Sequence, residues 1–209
     1  MIRISVILLV FALSFIPAFS QQASQIQTAY NALKSKNYDV AVQQYSKVID
    51  TKNDYAPAYY GRGISYYHLG NFNQALTDFN KAASLDSKLK DLYYARGLCN
   101  TQLNNLTSAV NDFTKHLELF PNSVPAIYAR ANVYYFSEED ENALRDYSKA
   151  ISLDNKYAPA YYGRAVIYKI MKNNDQALRD FDMYLELAGK NSQLSAEVER
   201  LIQEIAVKD

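Results

Sequence analysis

The 209-residue sequence has no tryptophan, one cysteine, two histidines, five prolines and six glycines. Each shortage excludes something. A single cysteine, Cys99, cannot build an intramolecular disulfide framework or a cysteine-based zinc cluster. Two histidines, His68 and His116, leave little for a histidine-rich metal site, so neither metal nor cofactor is expected. Scarce glycine and proline mean few helix breakers, which favours long helices. Net charge is missing as well, since 22 basic residues balance 22 acidic ones. That balance argues against a non-specific nucleic-acid binder or a polybasic membrane-surface protein. What is plentiful is tyrosine, at 19 residues, in a chain that is 49% hydrophobic and 21% charged. This is globular composition, not that of a disordered polymer.

The first twenty residues read as a targeting segment. Arg3 supplies a positive start, and Ile4 to Ile16 is apolar except for Ser5 and Ser14. Ala18 and Ser20 then place small residues at −3 and −1 of a cleavage site after Ser20, the pattern of a secretory signal peptide. The apolar run is shorter than the roughly 18 residues a spanning helix wants, so cleavage is preferred to a retained anchor. No membrane insertion is expected after cleavage. Losing Arg3 leaves 21 basic against 22 acidic residues, a net charge of −1.

The remainder repeats itself. Residues 55–62 and 157–164 are both Tyr-Ala-Pro-Ala-Tyr-Tyr-Gly-Arg, 102 residues apart, three times 34. Stepping by 34 gives further columns. Ala41, Ala75, Ala109, Ala143 and Ala177 form one, and Tyr45, Phe79, Phe113, Tyr147 and Phe181 another. Ala29, Gly63, Gly97, Ala131 and Ala165 form a third, small column. Five units follow without insertion: 22–55, 56–89, 90–123, 124–157 and 158–191. Each reads as two helices. In 56–89 the first follows Pro57, which is tolerated at a helix start. Gly70-Asn71 makes the turn, and Ala75, Leu76, Phe79, Ala82 and Ala83 give the second helix its apolar stripe. The small column at position 8 should let the aromatic at position 24 approach closely. One helix pair cannot bury its apolar face, whereas five stacked pairs can. Residues 192–209 differ: Leu194, Val198, Leu201, Ile202 and Ile205 share one stripe of an amphipathic helix. That helix is expected to cap the last repeat.

With a period of 34, small residues at position 8, Tyr66, Tyr134 and Tyr168 at position 11, alanine at position 20 and aromatics at position 24, residues 22–191 resemble the tetratricopeptide repeat family. The resemblance implies an all-α, right-handed superhelix of antiparallel helix pairs. The family's tryptophan at position 4 is replaced by Tyr59, Tyr93, Ile127 and Tyr161, which accounts for part of the tyrosine excess. The first unit departs most, with Gln25 at position 4 and Ala32 at position 11.

Position 7 carries Arg62, Arg96, Arg130 and Arg164, and position 23 carries Asp78, Asp112, Asp146 and Asp180. Both columns vanish together in the first unit, where Thr28 and Gln44 stand. Their joint presence favours structural ion pairs between the helices of a repeat over a basic stripe for an anionic ligand. No spacing supports a catalytic triad, and Gly61-Arg62-Gly63 lies within a helix rather than a phosphate loop. Catalysis is therefore not expected. Cys99 is read as a small core residue and His116 as a packing residue. Asn105-Leu106-Thr107 is a glycosylation sequon, relevant only in a eukaryotic source.

The resemblance implies that first helices line a concave groove through positions 2, 5, 9, 12 and 13. Position 5 then gives Tyr60, Tyr94, Tyr128 and Tyr162. Position 9 gives Ile64, Leu98, Asn132 and Val166. From positions 12 and 13 come Tyr67, Tyr135, Lys169, His68 and Phe136. Tyrosine buries a large area at low entropic cost while keeping a polar tip, which suits peptide recognition. The family's carboxylate-clamp pattern is absent apart from Asn132, so that mode is disfavoured. The expectation is an exported, non-catalytic scaffold, periplasmic or extracellular, that binds a protein or peptide in this groove. The rival is a structural protein that self-associates or docks through its ends.

Overall fold

A computed structural model describes residues 23–189 and 194–207. The signal segment expected at 1–20 lies outside the described residues. The described residues contain helices and no strand. They divide into two compact units, Met1–Leu103 and Asn104–Asp209.

In the first unit, residues 23–34 form α1. It is followed by α2 (Tyr38–Thr51), α3 (Ala56–His68), α4 (Phe72–Leu85) and α5 (Leu92–Gln102). Each packs on its neighbour in order from α2 to α5, and α3 also touches α5. Ala29, Ala41, Ala75, Phe79, Leu92 and Cys99 are all fully buried in its core. The Cys99 thiol meets the Phe72 carbonyl at 3.2 Å.

The second unit holds α6 (Leu106–Leu119), α7 (Val124–Phe136), α8 (Asp140–Leu153), α9 (Ala158–Ile170), α10 (Asn174–Ala188) and α11 (Ser195–Ala206). Successive helices again pack in order. Pro125 and Pro159 sit in the first turns of α7 and α9, as Pro57 does in α3, where a missing N–H costs nothing. The amphipathic tail forms α11, which buries Val198, Leu201 and Ile205 against α10. His116 is buried, its Nε2 lying 3.3 Å from Ser123 Oγ and its ring 4.9 Å from that of Phe120.

The 34-residue columns have direct packing roles. Ala41, Ala75, Ala109, Ala143 and Ala177 are all fully buried. A Cβ on Gly63 would lie 2.8 Å from the Phe79 ring of the same repeat. Position 6 is governed by the preceding repeat. A Cβ on Gly61 would sit 2.2 Å from Tyr45 Cζ, and one on Gly163 2.5 Å from Tyr147 Cζ. Where the preceding position 24 is Phe79 or Phe113, position 6 is Ala95 or Ala129 instead. The larger tyrosine thus coincides with glycine, and the smaller phenylalanine with alanine. This explains why the two identical octapeptides each follow a tyrosine-bearing repeat.

The turns inside the repeats share one conformation. Lys36, Gly70, Asn104, Glu138 and Lys172, spaced by 34, all have positive φ, between 58° and 76°. Only Gly70 adopts it without steric penalty. In four repeats the next residue, which caps the second helix, is asparagine: Asn37, Asn71, Asn105 and Asn173. In the fourth it is Glu139.

Candidate protein-binding face

The arginine column is fully engaged in structure. Arg62 binds Asp78 in bidentate fashion, Nε to Oδ2 at 2.7 Å and Nη2 to Oδ1 at 2.8 Å. Arg130 does the same with Asp146, and Arg164 with Asp180, through pairs of 2.7 and 2.9 Å bonds. The carboxylates are almost fully buried and the guanidiniums largely so. Hydrogen bonding to the aspartate holds the Arg62 and Arg164 guanidiniums above their usual pKa. Asp112 is buried too, and Arg96 donates to Asn80 Oδ1 at 3.1 Å. Arg96 and Asp112 fall in different units.

Each of these three guanidiniums also has a second partner that sequence reading missed. Nη1 of Arg62 reaches Ser46 Oγ at 3.0 Å, that of Arg130 reaches Thr114 Oγ1 at 2.9 Å, and that of Arg164 reaches Ser148 Oγ at 3.1 Å. With Asn80 these residues form a column at position 25 of the preceding repeat. One arginine thus ties together the second helices of two adjacent repeats. The signal was available as a run of Ser, Asn, Thr and Ser at 34-residue spacing.

Tyrosines at positions 4 and 11 flank the same guanidiniums. Arg62 lies 5.8 and 6.0 Å from the rings of Tyr59 and Tyr66, and Arg164 lies 5.8 and 5.9 Å from those of Tyr161 and Tyr168. Arg96 keeps Tyr93 alone, and Arg130 keeps Tyr134 alone, because Asn100 and Ile127 stand at the other positions. Six of the 19 tyrosines therefore lie against guanidiniums of this column.

The position-5 tyrosines are half-buried. Tyr60 packs on Phe79, Tyr128 on Tyr147 and Tyr162 on Phe181, with centroids 6.1, 5.9 and 6.2 Å apart. Each thus contributes one ring face to its own repeat. Burial, with a smaller contribution from Asp91, pushes the Tyr60 phenol up to about 12. Burial also raises Tyr94. At position 9, Ile64, Leu98 and Val166 are half-buried. Asn132 accepts a 2.6 Å bond from the Tyr147 hydroxyl, so its side chain serves the helix pair.

Positions 12 and 13 differ from repeat to repeat. Tyr67 packs edge-on against Phe72, and His68 stacks on Tyr38 of α2 at 4.5 Å and 12°. Lys169 donates to Glu204 of α11 at 2.9 Å. The Tyr162 hydroxyl donates to Glu197 of the same helix at 3.3 Å. The capping helix therefore occupies two positions expected in the groove. Tyr135 and Phe136 have rings 5.5 Å apart, and Phe136 is 61% exposed. They open onto a cleft of about 630 Å³ that is also lined by Glu138, Asp140 and Ile170.

Among the described residues no group of three or more His, Cys, Asp or Glu could hold a metal ion, and no helix is long and apolar enough to cross a membrane.

Antiparallel helix pairs on a 34-residue period, with an alanine and aromatic column between them, define a helical repeat protein. Tetratricopeptide repeat family models match residues 56–89, 91–123 and 124–157. The chain belongs to the tetratricopeptide repeat family. The fold is similar to that of a tetratricopeptide repeat protein from Parabacteroides merdae, at TM-score 0.79 and 19% identity over 90% of this chain and 75% of that one. It is similar to MamA from Desulfovibrio magneticus, at TM-score 0.76 and 17% identity over 79% and 94%. It is also similar to YrrB, described as a TPR protein with an unusual peptide-binding site, at TM-score 0.74 and 22% identity over 84% and 90%. No curated protein matches the sequence significantly.

Proposed function

We propose that the chain is an exported scaffold that binds a protein segment on the face lined by its first helices. The observation behind this reading is the run of Tyr128, Tyr135 and Phe136 along α7. Packing leaves the first two half-exposed and Phe136 largely uncovered. Aromatic side chains with one face packed and the other open make rigid anchors, since little freedom is lost when a partner covers them. The arginines do not compete for this role, because their donors are already engaged. Tetratricopeptide repeat proteins are in general non-catalytic scaffolds, and the peptide-binding site of YrrB is compatible with such a role. Export rests on the character of residues 1–20 and places the partner in the periplasm or outside the cell.

Affinity capture from the native host tests the reading. The wild-type chain is compared with a Tyr135→Ala/Phe136→Ala variant, both checked for equal melting temperature. Retention of one protein by the wild type and its loss in the variant is expected. Equal retention moves the interface to the helix ends or the opposite face, and assembly through the termini becomes the better account. N-terminal sequencing of the mature protein checks cleavage after Ser20.

A further inference from the structure

We infer that the cleft at the ends of α7 and α9 takes a short protein segment in which an apolar anchor side chain is flanked by lysine or arginine. This rests on the reading that the first-helix face binds a protein segment, and it names the chemistry of that segment.

The cleft has an apolar floor and an acidic rim. Its volume, about 630 Å³, falls in the range of ligand sites, roughly 300–1,000 Å³. Phe136 and Ile170, equivalent residues of successive repeats, are 61% and 52% exposed. Two large apolar side chains left open beside a concavity are suited to receive an aliphatic or aromatic group.

The turn beside it carries Glu138-Glu139-Asp140-Glu141, four acidic residues in succession, of which Glu138 and Asp140 line the cleft. The turn itself does not demand them. Lys36-Asn37, Gly70-Asn71, Asn104-Asn105 and Lys172-Asn173 build equivalent turns with the same left-handed residue, and none is acidic. Local structure accounts for some of the charge. Asp140 and Glu141 lie in the first turn of α8, where the helix dipole favours them, and Glu139 accepts a 2.6 Å bond from Asn142. Glu138 gains neither benefit and sits at φ 59°. It lines the cleft with Asp140. Positive charges near this turn are Lys169, held by Glu204, the exposed Lys172, and Arg145, which donates to Asn142. Such a rim repels phosphate and anionic lipid and attracts a cationic peptide, so a nucleic acid or membrane surface is disfavoured.

A random 12-residue peptide library selected against the immobilised full chain tests the inference without presupposing a sequence. Enriched peptides should carry Leu, Ile, Met or Phe within about three residues of Lys or Arg. A fluorescein-labelled enriched peptide, measured by anisotropy, should bind at least tenfold more tightly than the same peptide with its basic residues changed to Glu. Glu138→Lys/Asp140→Lys should abolish that preference, and Ile170→Ser should weaken binding at least tenfold. All three positions are at the surface, and equal melting temperatures confirm the fold. Affinity should fall between 50 and 500 mM salt, since the pairing is exposed. Enrichment of acidic or uncharged peptides overturns the inference, as does indifference to the charge reversal. Peptides whose binding is lost in Tyr128→Ala but not in Ile170→Ser leave the protein-segment reading standing and remove this one. If no peptide is enriched, both fall.

Discussion

Repeats 4 and 5 place different side chains at the same station, and the helix that follows treats each differently. Tyr135 and Lys169 both occupy position 12. Thirty-five residues on from Lys169 stands Glu204, which accepts its ammonium hydrogen bond. Thirty-five residues on from Tyr135 stands Ile170, half-exposed on the wall of an open cleft. A terminal helix therefore closes the last face with charge, while an internal helix leaves its equivalent apolar and accessible. Position in the repeat does not alone decide whether a residue is available to a partner. The side chain that the next helix presents decides it.

The contrast holds only if the frameworks beneath the two faces are equivalent. Asp146→Ala and Asp180→Ala should each cost about 3–5 kcal/mol, because each strands a largely buried guanidinium. Urea unfolding of both variants checks this, and a large inequality would show that the repeats are not supported alike. Next in size is the contact between repeats. Gly163→Ala should destabilise by about 1–3 kcal/mol through collision with the Tyr147 ring. Adding Tyr147→Phe should recover part of the loss by restoring the Phe–Ala combination of the other interfaces. Strict additivity in that double-mutant cycle would dissolve the proposed pairing.

Alkaline pH separates the covered tyrosines from the open ones. Burial raises Tyr45 and Tyr60 to about 12, and burial with Glu197 does the same for Tyr162. Raised phenols favour the folded state while protonated. Their contribution is complete below the unfolded value near pH 10 and disappears as pH climbs toward about 12. Absorbance at 295 nm should show these phenols ionising late, together with unfolding. Glu197→Gln should advance Tyr162 and leave Tyr60 unchanged. The smallest effect belongs to the Lys169–Glu204 pair, which is partly exposed. Lys169→Met should change stability by about 0.2–1 kcal/mol. A loss several times larger would mean that the cap is held by charge more than by Val198, Leu201 and Ile205.

The helical repeat was legible in the sequence because a 34-residue period aligns residues whose packing demands are nearly identical. Alanine at position 20 and an aromatic at position 24 recur because the space between two helices recurs. The Arg–Asp columns could be paired from their joint absence in the first unit. The face was harder to read, since its residues face solvent or the next helix, and the next helix varies. Nothing local to His68 announces that Tyr38 will stack on it, or local to Asn132 that Tyr147 will use its carbonyl. Positions 4 and 11 hold a further role. Their tyrosines were explained by substitution for tryptophan at position 4 and by the family pattern at position 11, and several also lie against guanidiniums.

The arginine joint has a consequence for how such a chain can change length. For Arg62, Arg130 and Arg164 the donor is at position 7, one acceptor at position 23 of the same repeat, and the other at position 25 of the repeat before. Excising residues 124–157 would bring Arg164 to Thr114, a hydroxyl in place of the Ser148 hydroxyl. The same excision would set Gly163 against Phe113, leaving the room made for a tyrosine hydroxyl unfilled. Repeats that carry the arginine joint are interchangeable there and individually fitted at the aromatic contact. A duplication or loss of one unit would preserve the connection at once and leave a single methyl-sized mismatch for later point substitution to correct.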